Sequence, residues 1–409
     1  MMHGPRDAVE VPDLEVAGPG PAQTTPSVSR VVAIVPGDDF SGPAGQVAST
    51  AIELAKHGVE VRFLLLSRPA RATGRLPAFL AAHGLPCHVL EDRRPLDLGL
   101  VLRVRRFLSD WQPDVVETHG YKATGIAFLL TRFRHRWRWV GYFHGLTTES
   151  RRARFYHALD LRMLASADRA VTISEEQRQR LARWAPDVRV IPSAVTTLDG
   201  TDRIAAPPEV FARVQQLSRP HIGVVGRLSP EKGVDVFLRA AALLAARGVA
   251  FSAVIVGDGP ARSSLTDLTA GLGLADRVHF LGHLSEMQKL YEYLDLLVIP
   301  SRSEGLPSVL LEALHADIPV VSTRVGAIPG VIVSPQTGTL VPPDSPAELA
   351  DGIVAGLASR GSEPARLARR AAARAFSQER RAASLLALYR EIVVPSHSPP
   401  HDRQPGIRH

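Results

Sequence analysis

Short apolar runs alternate with longer amphipathic stretches over most of the chain, the pattern of parallel α/β structure. Val31–Val35 reads as a strand, followed by a glycine-containing loop and a helix to about His57. Val59–Leu66 reads as the second strand, and further strands are expected at Cys87–Leu90, Val115–Glu117, Trp139–Phe143, Arg169–Ile173 and Arg189–Ile191. Helices fill the gaps, among them Tyr156–Ala165 and Glu175–Arg183. From about Ser193 to Pro220 the periodicity fades and Thr, Asp, Gly and Pro accumulate, as in a linker, with one short helix at Glu209–Leu217. The pattern then restarts, with strands at His221–Val225, Phe251–Val256, Val278–Phe280, Leu296–Ile299, Pro319–Ser322 and Thr339–Val341. Helices are expected at Val234–Ala246, from Ala261, and near Ser285–Tyr293, Val309–His315 and Ala347–Ala358. The restart predicts a second domain of the same class. The expected division is a disordered leader at 1–29, a first domain at 30–200, a linker at 201–220, a second domain at 221–376, a last helix at 377–394 and a disordered tail at 395–409.

Composition narrows the class. The 409 residues suffice for two cores, and 45% hydrophobic with 22% charged residues is ordinary for a globular chain. No uninterrupted apolar run is long enough to cross a bilayer, and the first thirty residues lack the apolar segment of a secretory signal. The single cysteine, Cys87, excludes an internal disulfide, agrees with a reducing, cytoplasmic compartment, and reads as a small core thiol. The net charge of +7 is carried almost entirely by arginine, since lysine occurs only at 56, 122, 232 and 289. Arg103, Arg105 and Arg106, then Arg132, Arg134, Arg136 and Arg138, then Arg151, Arg152 and Arg154 crowd the first half. Two readings stand side by side: solvated faces of an arginine-rich chain, or a surface for an anionic partner such as the inner face of a membrane. No recognition motif supports binding to nucleic acid.

In open parallel sheets ligands bind beyond the C-terminal strand ends, so the loops after strands hold the candidate chemistry. The first, Pro36-Gly37-Asp38-Asp39-Phe40-Ser41-Gly42-Pro43-Ala44-Gly45, can bring backbone N–H groups to an anion, but it lacks a Walker lysine and fits a plain tight turn equally. In Gly226-Arg227-Leu228-Ser229-Pro230-Glu231-Lys232-Gly233, Ser229 is suited to cap a helix that Pro230 begins. Arg227 and Lys232 are spaced to meet one ligand, and together they can stabilise a departing diphosphate. Val256-Gly257-Asp258-Gly259-Pro260 allows a flat group such as a base to lie against the backbone, or is an ordinary turn. The most specific string is Ser303-Glu304-Gly305-Leu306-Pro307-Ser308-Val309-Leu310-Leu311-Glu312-Ala313. Glu304 precedes a helix and Glu312 lies about two turns along it. Set among apolar neighbours, Glu312 needs a hydrogen-bonding partner, for which ribose hydroxyls are suited, while the free N–H groups of the helix start suit a phosphate. Each glutamate alone also fits a solvated helix position. His119-Gly120 and His144-Gly145 follow two strands and put both histidines on the cleft side.

Taken together these residues resemble the retaining transferases of glycosyltransferase family 4, which have the GT-B fold. The resemblance covers about Val31 to Tyr389 and is densest from Gly223 to Pro343, where the string from Asp295 to Leu314 resembles the family's paired-glutamate region. It implies two Rossmann-like α/β domains facing across a cleft, the first on the acceptor side and the second binding a nucleotide-diphosphate sugar, with the helix at 377–394 crossing back to the first. By that resemblance Arg227 and Lys232 hold the donor diphosphate, Glu312 the ribose and Glu304 the donor sugar. Gly42, Gly226, Gly305, Leu306, Pro307, Ser308 and Val309 line the donor, and Asp258 and Gly259 lie near its base. His144 sits beside the transferred sugar, and His119 on the acceptor side. The sequence departs from the family at Gly42-Pro43-Ala44-Gly45, where a Gly-Gly-x-Glu/Ser pattern is usual, at Asp317, where glycine is usual, and at Gly330, where glutamate is common.

No Asp-x-Asp occurs in the chain, which favours catalysis without a metal or other cofactor. The resemblance implies retention of anomeric configuration and, by family habit, an acceptor that is a carbohydrate or lipid-linked precursor of a bacterial polysaccharide or glycolipid. The alternatives are a nucleotide-sugar isomerase or hydrolase of the same fold, and a non-catalytic nucleotide-sugar-binding subunit.

Overall fold

Strands that are apolar on both faces need cover on both sides, and helices between successive parallel strands provide it. The computed structural model describes residues 28–37, 42–67, 75–93, 97–133, 135–143, 151–185, 187–195, 208–284 and 287–393. The expected leader up to residue 27, the segment 196–207 and the tail from 394 lie outside the described residues, as do the loop 38–41 and His144. The first half runs β1 (Arg30–Pro36), α1 (Gly42–Lys56), β2 (Glu60–Ser67), α2 (Arg75–Ala82), β3 (Cys87–Glu91), α3 (Leu98–Trp111), β4 (Val115–His119), α4 (Tyr121–Leu130), β5 (Arg138–Phe143), α5 (Arg151–Leu164), β6 (Arg169–Thr172), α6 (Glu175–Leu181) and β7 (Val188–Val190). The second runs α7 (Pro208–Gln216), β8 (His221–Val225), a 3₁₀ turn (Pro230–Lys232), α8 (Val234–Ala246), β9 (Ser252–Val256), α9 (Arg262–Gly271), β10 (Val278–Gly282), α10 (Met287–Tyr291), β11 (Leu296–Ile299), α11 (Ser308–His315), β12 (Val320–Thr323), α12 (Ile328–Val331), β13 (Thr339–Val341), α13 (Pro346–Ala358), α14 (Glu363–Ala375) and α15 (Gln378–Val393).

Every strand pair described is parallel. The first sheet has the order β3-β2-β1-β4-β5-β6-β7 and the second β10-β9-β8-β11-β12-β13. Both are therefore Rossmann-like, and each reverses its strand succession once, at β1/β4 and at β8/β11. Those reversals open crevices at the C-terminal strand ends.

Side-chain alternation divides the cores. Val31, Ala33, Val35, Phe63 and Leu65 face α1 and α15, while Val32, Ile34, Leu64 and Leu66 face α3 and α4. In the second sheet Ile222, Val224, Ala253 and Ile255 pack with α8, and Val254, Val256, Leu297 and Ile299 pack with α11. Phe211 and Val214 of α7 are buried in that same second core. Helix α14 was not marked by an apolar run, because its buried side chains are Ala365, Arg369 and Ala373. Arg369 pairs with Asp317 at 2.9 Å, and Asp317 itself has φ 60° just beyond α11.

Helix α15 crosses back to the first domain. It buries Ala382, Leu385, Leu386, Leu388, Tyr389 and Ile392 in the core around α1, where each large apolar side chain is worth about 1.5–3 kcal/mol gross. The two crossings of the chain meet beside α1: Val195 N–H donates to the Phe376 carbonyl at 2.8 Å, and Thr50 Oγ1 donates to Gln378 Oε1 at 3.1 Å.

Candidate functional site

The crevice of the second sheet is assembled from the loops after β8, β9, β11 and β12. Gly226 N–H donates to the Val256 carbonyl at 2.9 Å, and Leu228 N–H to the Asp258 carbonyl at 3.0 Å, so the first two loops are held edge to edge. The fit leaves no room for a side chain at Gly257, whose φ is 130° and where a Cβ would lie 1.9 Å from the Gly226 oxygen. Gly233, at φ 63°, is confined likewise, with a Cβ position 2.1 Å from the Pro300 oxygen. The loop after β8 is thereby pressed onto the loop after β11. Ser229 does not cap a helix as its position suggested. The backbone forms a 3₁₀ turn, Ser229 Oγ donates to Glu231 Oε1, and the α-helix waits until Val234. That hydrogen bond, and then the charges of Lys232 and Arg227, hold the Glu231 carboxyl below its ordinary range.

This approach brings the predicted charges together. Lys232 Nζ lies 2.7 Å from Glu304 Oε1, and Ser301 Oγ donates to the same oxygen at 2.7 Å. The Glu304 side chain is only 9% exposed and that of Lys232 28%, so the pair is largely shielded from water but still reachable. Arg227 is exposed in the same loop and makes no ion pair among the described residues. Glu312, half-buried on α11, accepts from the Tyr291 hydroxyl at 2.7 Å, which supplies the partner its apolar setting requires. Gly305 and Ser308 are exposed at the start of α11, while Leu306 and Val309 pack against the core below. Pro307 is the N-cap and offers no side-chain hydrogen bond, leaving the first N–H groups of α11 available to an acceptor. Asp258 is mostly exposed and accepts from the Gly259 N–H at 2.7 Å. Gly42 opens α1 in the first domain.

Two residues that the sequence did not single out tie the crevice together. Arg302 binds both carboxylate oxygens of Asp235 at 2.8 and 2.7 Å and donates to the Pro230 carbonyl at 2.7 Å. Its own N–H donates to the Glu231 carbonyl at 2.8 Å. The hydrogen bonds from Arg302 hold the Asp235 carboxyl below its ordinary range. Tyr291 is the other, through Glu312. Across the gap, a Cβ on Gly305 would lie 3.6 Å from Ile173 Cδ1, just past β6. The C-terminal strand edges of the two sheets thus face one another.

His119, expected beside the acceptor, is instead buried, 3% exposed, and turned toward α1 and α15. Its ring stacks on Tyr142 with centroids 4.4 Å apart, and its Nε2 lies 3.7 Å from Glu117 Oε2. Glu117 Oε1 accepts from the Tyr142 hydroxyl at 2.6 Å and also from the Tyr389 hydroxyl of α15. Burial raises the Glu117 pKa, but His119 and the two hydroxyls outweigh it, so the carboxyl stays below its ordinary range. Burial first, and then the Glu117 charge, push both tyrosines well above theirs.

Residues 209–374 match the family model described as glycosyl transferases group 1, and residues 40–197 match that of glycosyltransferase family 4. The chain is 32% identical over 400 residues to the D-inositol 3-phosphate glycosyltransferase of Nocardia farcinica, covering 88% of this chain and 86% of that one. It belongs to the GT-B glycosyltransferases of family 4. The transferase is also 35% identical over 187 residues to the alpha-D-kanosaminyltransferase of Streptomyces kanamyceticus, covering 45% of this chain and 46% of that one. Solved structures share the fold. A glycosyltransferase from Rickettsia africae superposes with a TM-score of 0.72 at 19% identity, covering 90% of the transferase and 99% of that chain. Anabaena Alr3699/HepE in complex with UDP gives 0.72 at 19% identity, covering 88% and 99%.

Proposed function

We propose that this transferase moves a sugar from a nucleotide-diphosphate donor to a hydroxyl of its acceptor, with retention of configuration and without a metal. The observation that carries the reading is the 2.7 Å contact between Lys232 and Glu304 at the β8/β11 reversal, with Arg227 in the same loop. A pyrophosphate bound there meets two cations and the free N–H groups of α11, and Glu312 lies along the same helix for the ribose. The acceptor oxygen attacks the anomeric carbon on the face from which the diphosphate departs. As the carbon–oxygen bond to the phosphate breaks, a phosphate oxygen takes the acceptor proton, and Arg227 and Lys232 stabilise the charge that develops on the leaving group. In this reading Glu304 contacts the donor sugar's hydroxyls and His144 orients the sugar. Closure of the lobes at the Ile173–Gly305 approach excludes water.

For the acceptor, the arginine-rich first domain favours a carbohydrate or lipid-linked precursor at the inner face of a membrane, with the protein peripheral. No helix among the described residues is long and apolar enough to cross a membrane. A second reading has its own support: one relative above is named a D-inositol 3-phosphate glycosyltransferase, which favours a small polyol acceptor. The test is a transfer assay over nucleotide-diphosphate sugars with and without acceptor, before and after chelation, with the product anomer assigned by NMR. An axial donor should give an axial product, and chelator should leave the rate unchanged. Inverted product, metal dependence, or donor consumption equally fast without acceptor would each refute part of the reading, the last in favour of a hydrolase or isomerase.

A further inference from the structure

One face of the first domain carries charge and apolar surface that the crevice does not use. Leu98, Leu102, Arg105 and Ser109 form an exposed stripe along α3. Leu98 is 74% and Leu102 61% exposed, and Leu129 and Phe133, at and just past the end of α4, are 45% and 46% exposed. The Arg105 guanidinium lies 4.3 Å from the Phe133 ring centroid, so α3 and the end of α4 make one surface. Arg105, Phe133, His135 and Arg136 line a single groove floored by Pro113 and Trp137. Arg103 and Arg106 are partly neutralised by Asp97 and Asp110, at 3.6 and 3.8 Å. Arg105, Arg132 and Arg136 are exposed and form no ion pair among the described residues. Pro113 and Trp137 lie within two residues of the starts of β4 and β5, so the groove opens at the N-terminal strand ends, opposite the crevice.

From this arrangement we infer that the α3–α4 face docks on an anionic bilayer. The unpaired guanidiniums bind lipid phosphates, for which their planar forks are suited, and Leu102, Leu129 and Phe133 enter the boundary between headgroups and acyl chains. Nucleic acid would use the arginines and Phe133 but has no use for exposed leucines, whereas a bilayer interface uses all of them. The inference concerns where the protein sits rather than what it accepts and is tested by binding alone, so its failure leaves the transfer reaction untouched. The full-length protein is mixed with phosphatidylcholine vesicles, with the same vesicles enriched in phosphatidylglycerol, and with single-stranded polynucleotide, and bound protein is separated by flotation or gel shift. The expected result is binding to the anionic vesicles only, weakened by salt. Each neutralised arginine should cost about fivefold in partitioning, so Arg105→Gln, Arg132→Gln and Arg136→Gln together should cost roughly a hundredfold. Leu102→Ser with Leu129→Ser should weaken vesicle binding several-fold at unchanged charge, with near-UV dichroism confirming that both variants fold. Equal binding to neutral vesicles, a triple arginine variant that binds as well as the parent, or polynucleotide binding without vesicle binding overturns the inference.

Discussion

The two sheets share one strand order over six strands, yet they use the ends of those strands for opposite purposes. In the second domain the reversal at β8/β11 turns Lys232 and Glu304 toward the crevice and keeps them 2.7 Å apart. In the first, the reversal at β1/β4 ends in Glu117 and His119, which turn inward and fasten α15 through Tyr389. Topology therefore fixes where a crevice opens, and local side-chain direction decides whether that crevice receives chemistry or anchors the end of the chain. The sharpest way to break the comparison is to remove the charge that faces the crevice. Lys232→Ala should lower kcat/KM by about 10²–10³, the usual loss for one preorganised group that stabilises developing charge, and should lower the melting temperature by less than Glu117→Ala does, since the shielded Glu304 loses its cation but keeps its hydrogen bond from Ser301. Initial rates at saturating acceptor check it. Normal turnover in Lys232→Ala and in Arg227→Ala alike would remove the second sheet's half of the contrast.

The inward-facing acid predicts the reverse phenotype. Glu117→Ala leaves two buried tyrosine hydroxyls without their acceptor and opens space beside His119, so it should cost about 3 kcal/mol of stability. Because the folded Glu117 pKa lies below its ordinary value, this contribution is present above the normal glutamate range and is lost as pH falls through the folded value. Chemical denaturation should report the loss, and hydrogen exchange should report faster opening of α15 than of α8. Unchanged protection of 378–393 would mean that the apolar face of α15 alone holds it.

How much of this was legible follows from where each signal resides. Strands such as Leu296–Ile299 read directly, because a parallel sheet buried on both faces leaves an unbroken apolar run. Lys232 and Glu304 read because charges in glycine-bearing loops after strands have few structural reasons to be there. Tyr291 and Arg302 did not, since they act on Glu312 and Asp235, 21 and 67 residues away, and only the packing of the loops brings them together. The burial of His119 was available from its parity. Counting by twos from Val115, whose side chain faces α1 and α15, puts Glu117 and His119 on the same buried side. His144 lies outside the described residues, so its role rests on the motif.

A third, smaller effect sharpens the picture of the first domain as the structural partner. Asp160 of α5 is 4% exposed, and burial raises its pKa to about 6 against a hydrogen bond from Thr124 that lowers it. Between the ordinary aspartate range and about pH 6 the folded chain keeps a proton that the unfolded chain has released, so stability falls as pH rises through that window and stays lower above it. Asp160→Asn removes the charge and keeps a hydrogen-bonding group. It should therefore gain about 2 kcal/mol at pH 8, the full shift being a ceiling near 3 kcal/mol, and gain nothing at pH 3. Paired denaturation curves at the two pH values measure this, and an equal effect at both would exclude titration of Asp160 as the cause.

The smallest expected effect lies in the second domain, at a position where the sequence departs from its family. Asp317 occupies a left-handed backbone position, φ 60°, that glycine adopts without strain. The structure offsets that strain with a contact glycine cannot make, the 2.9 Å pair to Arg369 of α14, whose side chain is only 3% exposed. Asp317→Gly therefore relaxes the backbone but leaves a buried guanidinium without its carboxylate, and the two terms should cancel to within about 1 kcal/mol. Arg369→Leu in the parent chain removes the compensation and leaves the strain, so it should destabilise more than Asp317→Gly does. Adding Arg369→Leu to Asp317→Gly should recover stability relative to Asp317→Gly alone. A double-mutant cycle by denaturation supplies all four values, and strictly additive effects would show that Asp317 and Arg369 sit together without compensating one another.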